Sequence, residues 1–167
     1  MHTSKTKHII ISLVVIALGA SAVWNFQHKS DKEESVQSNL EPKVNYENSE
    51  FGFSLKLPEG FEIKNLEEVN GEMFLVEGGD YQMQIFVSDF DEAIALTVER
   101  IKRDIPDLQM QDVGEIEVGG AGAVSFTDAE QNTREIWFVR NYKLYQISSS
   151  PEESEISNTI IGSWSWQ

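Results

Sequence analysis

The densest set of oxygen ligands in the sequence is Asp89-Phe90-Asp91-Glu92. Hard divalent cations such as calcium take several carboxylates at once, which makes Asp89, Asp91 and Glu92 the candidate metal ligands. The run lacks the calcium-loop pattern, having no glycine at the turn and no distal glutamate in register. Asp89 and Glu92 also stand three apart, the spacing of a helix N-cap and its reciprocal partner, and capping is the preferred reading. Trp137, Trp164 and Trp166 could together form an aromatic platform for a ligand. Trp164 and Trp166 sit two apart on a short extended segment and share a face, so they are the ligand-platform candidates. Tryptophans on short strands more often complete a core or cover a sheet. Glu115 and Glu117 share one strand face and read as solvated. Gly119-Gly120-Ala121-Gly122 superficially resembles a phosphate loop, but it precedes a strand and lacks the following Lys-Ser/Thr, so it reads as a hairpin turn.

The residues that are missing narrow the chemistry further. There is no cysteine, which removes disulfides, thiolate zinc sites, cysteine nucleophiles and lipoprotein acylation. The histidines are His2, His8 and His28, and none follows. Ser-His-Asp and Cys-His sites, and histidine zinc sites, are therefore excluded from the rest of the chain. Acid–base work would fall to carboxylates, Lys or Tyr, and no Ser-x-x-Lys occurs beyond residue 43. We assign no catalytic residue and expect no cofactor. The 28 acidic residues outnumber the 13 basic ones, for a net charge of −15, and every acid lies beyond residue 30. Such a surface repels nucleic acid and anionic lipid headgroups, so nucleic acid is not an expected partner.

The elements that must position these groups come in three parts. The first covers residues 1–26. Its stretch from Ile9 to Phe26 is almost wholly apolar and is preceded by Lys5 and Lys7. At about 1.5 Å per residue it reaches about 27 Å, close to the ~30 Å hydrocarbon layer. The basic flank predicts a cytoplasmic N-terminus and an external remainder. We read the segment as a single-pass membrane anchor. The alternative is a signal peptide cleaved after Ala22, since Ala20-Ser21-Ala22 fits an Ala-x-Ala site, which would leave a secreted or periplasmic product. Residues 27–43 are polar and acidic without apolar periodicity, a spacer expected to be disordered.

Residues 44–167 hold enough chain for one core. Phe51, Phe53, Leu55 and Leu57 alternate with polar or small residues, predicting a strand that Pro58-Glu59-Gly60 ends. The run at 73–77, the turn Gly78-Gly79-Asp80 and the alternation at 81–87 predict a hairpin. Ile94, Val98, Ile101 and Ile105 fall on one helical stripe, predicting a helix over 91–105, capped by Asp89 and stopped by Pro106. Strands follow at 112–118, 123–127, 134–140 and 144–148. Ser150-Pro151-Glu152-Glu153 predicts a capped helix start, and Ser163 to Trp166 a closing strand. Strands outnumber helices, which gives an α+β class.

The segment Phe51-Gly52-Phe53-Ser54-Leu55-Lys56-Leu57 running into Pro58-Glu59-Gly60-Phe61 resembles the opening of PsbP-like domains. Ser163-Trp164-Ser165-Trp166 after a short helix is similar to their closing element. The resemblance spans Tyr46 to Trp166. These domains are relatives of the extrinsic oxygen-evolving subunit of photosystem II and of the Ran-binding nuclear-import factor. The resemblance implies an antiparallel sheet with helices packed on both faces. It implies no function, because bacterial relatives include many tethered extracytoplasmic proteins without an assigned activity. The expectation is a membrane-tethered, non-catalytic binding or scaffold module for a protein or cell-envelope partner. The alternatives are a carboxylate-based extracytoplasmic enzyme and a calcium-responsive module.

Overall fold

The computed structural model describes residues 44–68 and 70–167. The segment at 9–26, the spacer at 27–43 and all three histidines lie outside the described residues. Among the described residues no helix is long and apolar enough to cross a membrane.

The alternation that begins at Phe53 produces β2 (Phe53–Leu57), with Phe53, Leu55 and Leu57 buried and Lys56 exposed. β1 (Val44–Asn48) pairs with one side of β2 and β10 (Ser165–Trp166) with the other, both antiparallel. Seven more strands make a second sheet. They are β3 (Glu62–Glu68), β4 (Gly71–Gly78), β5 (Tyr81–Asp89), β6 (Met110–Val118), β7 (Ala121–Asp128), β8 (Thr133–Arg140) and β9 (Lys143–Ser149). Their order is β3-β4-β5-β9-β8-β7-β6, and every pairing is antiparallel. β1 and β3 have no strong apolar alternation to announce them. Five of the seven residues of β3 are polar, and it lies at a sheet edge, where one side needs no neighbour.

Side-chain alternation divides the large sheet into two faces. On the first, the register sets Val87 beside Tyr145, Tyr145 beside Phe138 and Phe138 beside Ala123. These residues form one buried core with Phe53, Leu55 and Leu57 of the small sheet, Ile160 and Ile161 of α2 (Ser154–Gly162), and Trp164. On the second face, Met73, Val124, Phe126, Trp137 and Leu144 are buried outside that core. The link from β5 to β6 must pass β9, β8 and β7. With the small sheet and α2 on the first face, it takes the second. It carries the buried Phe90, Leu96 and Ile101 and contains α1 (Val98–Asp104). Phe90 N–H donates to the Tyr142 carbonyl at its start, and Ala129 N–H to the Gln109 carbonyl at its end.

Both helix starts differ from the sequence expectation. Asp89 continues β5 instead of capping a helix, and α1 begins only at Val98, with Thr97 as N-cap accepting from Arg100 N–H at 3.2 Å. The apolar stripe misleads at Ile94, which is 51% exposed. Glu92 still reaches the helix, but through the Arg100 guanidinium at 2.7 Å and not through the backbone. At the second start, Pro151–Glu153 forms a 3-10 turn whose N-cap Ser150 makes no side-chain bond, and α2 follows at Ser154. The turn is closed by the backbone, Glu153 N–H donating to the Ser150 carbonyl. α2 is instead fixed from below. Ser157, fully buried, lies 3.0 Å from the Tyr81 hydroxyl of β5 and donates to Ser149 Oγ of β9 at 3.0 Å. Burial pushes the Tyr81 phenol up to about 12.

Candidate binding site

The structure does not bring Asp89, Asp91 and Glu92 into a metal site. Asp89 is bound at 2.6 Å by Lys143 across the β5–β9 pair, Glu92 is held by Arg100, and Asp91 is exposed. Arg100 is also paired with Asp104 within α1. Among the described residues no group of three His, Cys, Asp or Glu side chains could hold a metal ion. Glu115 and Glu117 are exposed on the edge strand β6.

The tryptophans separate. Trp137 lies on the second face, edge-on to Phe126 at 5.2 Å between ring centroids. Trp164 and Trp166 come together at 5.5 Å, but not as an open platform. Trp164 is 4% exposed and stacks on Phe53 at 4.6 Å, so the last turn of chain closes the core with it. Trp166 is half-buried, edge-on to Tyr145 and Phe138, and carries the Arg140 guanidinium 4.4 Å above its ring. Burial pushes the Tyr145 phenol up to about 12, with Arg140 opposing.

The β6–β7 turn closes over this pair. Gly119 and Gly120 have φ of +56° and +78°, the left-handed geometry of a two-residue hairpin turn. A Cβ at Gly119 would lie 2.6 Å from Trp166 Nε1 and 2.9 Å from Trp164 Cδ1, so only glycine lets the turn approach the indoles. Trp164 Nε1, Trp166 Nε1 and Arg140 Nε are all buried without a hydrogen-bond partner among the described residues. Sequence reasoning found the tryptophans and the turn but missed Arg140. Its only signal was a lone cation ending an apolar strand in an acidic chain.

At the same end of the large sheet lies a shallow cleft of about 400 Å³. Ala93, Ile94 and Ala95 of the crossover form one wall, Ala121 and Gly122 another, and residues 139–142 of the β8–β9 turn the third. Ile94 and Tyr142 are 51% and 60% exposed, two of the largest apolar side chains left in solvent. Asn141 and Tyr142 hold φ of +50° and +60°, so the turn that carries Tyr142 is a tight one.

Glu135 is the one buried carboxylate among the described residues, and its only signal in the sequence is an acid beside an apolar run. It accepts from Thr133 Oγ1 at 2.7 Å, Ser148 Oγ at 2.7 Å and Trp137 Nε1 at 3.0 Å. Burial raises its pKa, and the three donors hold it down. No cation pairs with it among the described residues.

No protein-family model matches the sequence, and no curated protein matches it. Among solved structures, the chain is similar to the solution structure of cyanobacterial PsbP (CyanoP) from Synechocystis sp. PCC 6803. The TM-score is 0.50, with 83% of this chain and 98% of that one covered at 9% sequence identity. The fold is PsbP-like, as the strand and tail motifs imply. At this identity the likeness carries architecture alone.

Proposed function

We propose that the protein is a non-catalytic binding module, held outside the cytoplasmic membrane by residues 9–26 and reaching its partner across the spacer at 27–43. The observation that carries this reading is the cleft between the crossover and the β8–β9 turn. Its lining offers apolar contact from Ala, Ile and Val, one guanidinium-bearing residue and one exposed Tyr. Among the described residues no carboxylate, lysine, serine or threonine lines it, so proton transfer there would fall to the Tyr142 phenol. Glu135 does not supply the missing chemistry, since its oxygens are already engaged by three neighbours. Glycoside chemistry would require two carboxyls facing each other across a cleft. Exposed Ile94 and Tyr142 are the sort of apolar and aromatic anchors that protein partners bury.

Two measurements test it. In a bacterial host, tagged full-length protein should stay in the membrane pellet after alkaline carbonate washing, and external protease should remove the domain from spheroplasts. Protection from that protease would sink the topology. A soluble product beginning at Val23 would replace the anchor with a cleaved signal. For the cleft, crosslinking in the native membrane should capture one discrete partner with wild-type protein and lose it with Ile94→Asp or Tyr142→Asp. Equal capture by all three would remove the cleft as the binding surface, and turnover of ester, glycoside or peptide substrates would end the non-catalytic reading.

A further inference from the structure

We propose that Arg140, Trp164, Trp166 and the Gly119 turn form a receptor for a single oxyanion, a carboxylate or phosphate group presented by a ligand. The inference goes beyond the cleft reading and does not depend on the cleft being occupied. Three N–H donors lie in one neighbourhood at the end of the large sheet, and none has an acceptor. The Nε1–Cδ1 edge of Trp166 and the Cδ1 of Trp164 face Gly119, and the Arg140 guanidinium lies on the Trp166 ring. Isolated buried donors without partners are costly, and native proteins rarely keep them without a ligand or water to satisfy them. Three together, all donors and one of them cationic, define the complement: a compact acceptor carrying negative charge. Among the described residues no carboxylate fills the role, since Arg140 makes no ion pair there. In a chain of net charge −15, a cation left unpaired is the place where an anion meets least repulsion.

Gly119 and Gly120 are exposed, and Gly119 lies against the two indoles. The turn is the element that must yield to admit the oxyanion, and without Cβ atoms it brings no side chain of its own into the way. Ligation would convert three unsatisfied donors into charge-assisted bonds and tie the tail of the chain to the β6–β7 turn.

The four tryptophans make the test direct, because each contributes one indole N–H resonance. The full-length protein in detergent micelles, labelled with nitrogen-15, is titrated separately with acetate and with inorganic phosphate, and the resonances are assigned with single Trp→Phe variants. The Trp164 and Trp166 signals should move downfield and saturate, while those of Trp24 and Trp137 stay in place. The stronger of the two probes identifies the group as carboxylate or phosphate. Arg140→Gln should weaken binding by about tenfold or more, the effect of losing one charged hydrogen bond. Trp166→Phe, which keeps the ring and removes only the donor, should weaken it while leaving the Trp164 signal responsive. Three results would each overturn the proposal: no movement of either signal at millimolar probe, equal movement of all four, or unchanged affinity in both Arg140→Gln and Trp166→Phe. Signals that both lie downfield before any probe is added and then ignore it, the mark of an internal water already satisfying the donors, would overturn it as well.

Discussion

Removing the Ser157 hydroxyl should destabilise the protein more than removing the Tyr81 hydroxyl, although the two groups share one hydrogen bond. Ser157 is fully buried between β5 and β9 and faces the Tyr81 phenol at 3.0 Å. Tyr81→Phe deletes the phenol but leaves Ser157 its contacts with Ser149 Oγ and the Glu153 carbonyl. One neutral hydrogen bond is lost, about 0.5–1.5 kcal/mol. Ser157→Ala leaves the phenol, on a residue only 3% exposed, without a partner. An orphaned buried donor costs about 1–3 kcal/mol, against a total stability of roughly 5–15 kcal/mol for an ordinary domain. The double variant no longer holds an orphaned phenol, so its cost should fall short of the sum of the singles by at least about 0.5 kcal/mol. Urea titration followed by tryptophan fluorescence and circular dichroism reads all four proteins on one scale. Additivity of the two single costs, or a larger loss for Tyr81→Phe than for Ser157→Ala, would refute this account of how α2 is held.

Thr97→Ala should cost about 0.5–2 kcal/mol through loss of the N-cap bond to Arg100 N–H, whereas Ser150→Ala, which removes no side-chain cap bond, should stay within about 0.5 kcal/mol in the same urea titration. Glu135 ionises above the usual carboxylate range in the folded state. Its contribution is therefore full below the unfolded carboxyl's pKa and is lost as pH rises through the folded one, and Glu135→Gln should flatten the fall in stability across that window; an unchanged pH–stability curve would show the group to be ionised normally. Deleting residues 1–43 should leave the far-ultraviolet circular dichroism and unfolding midpoint of the remainder unchanged, because β1 begins at Val44; an unfolded 44–167 fragment would move that boundary.

How much was legible in the residues follows from how locally each feature is encoded. Alternation, as in β2 and β5, and short apolar runs, as in β4 and β8, depend only on neighbours, so β2 and β4 to β9 could be read directly, as could the Gly119-Gly120 and Gly79-Asp80 turns. β3, with Glu62, Lys64, Asn65, Glu67 and Glu68, carries no such signal, because an edge strand bonds through its backbone and needs few apolar side chains. Helix starts were misread because capping depends on which of several polar residues the backbone actually bends at. Asp89 was drawn into β5 by its pairing with Lys143, and Thr97 took the cap.

The sequence by itself determined the α+β class, the family resemblance, the lack of histidine beyond residue 28 and of cysteine throughout, and the acidic balance, since these need only composition and local spacing. The assembly of the candidate site was decided by tertiary structure. Gly119, Arg140 and Trp166 belong to three strands or turns far apart in the chain, and only the strand order and the closing β10 bring them to one end of the sheet. The same is true of Glu135, which meets Ser148 only because β8 pairs with β9. Burial and hydrogen-bond satisfaction are properties of neighbours in space, and no spacing along the chain records them.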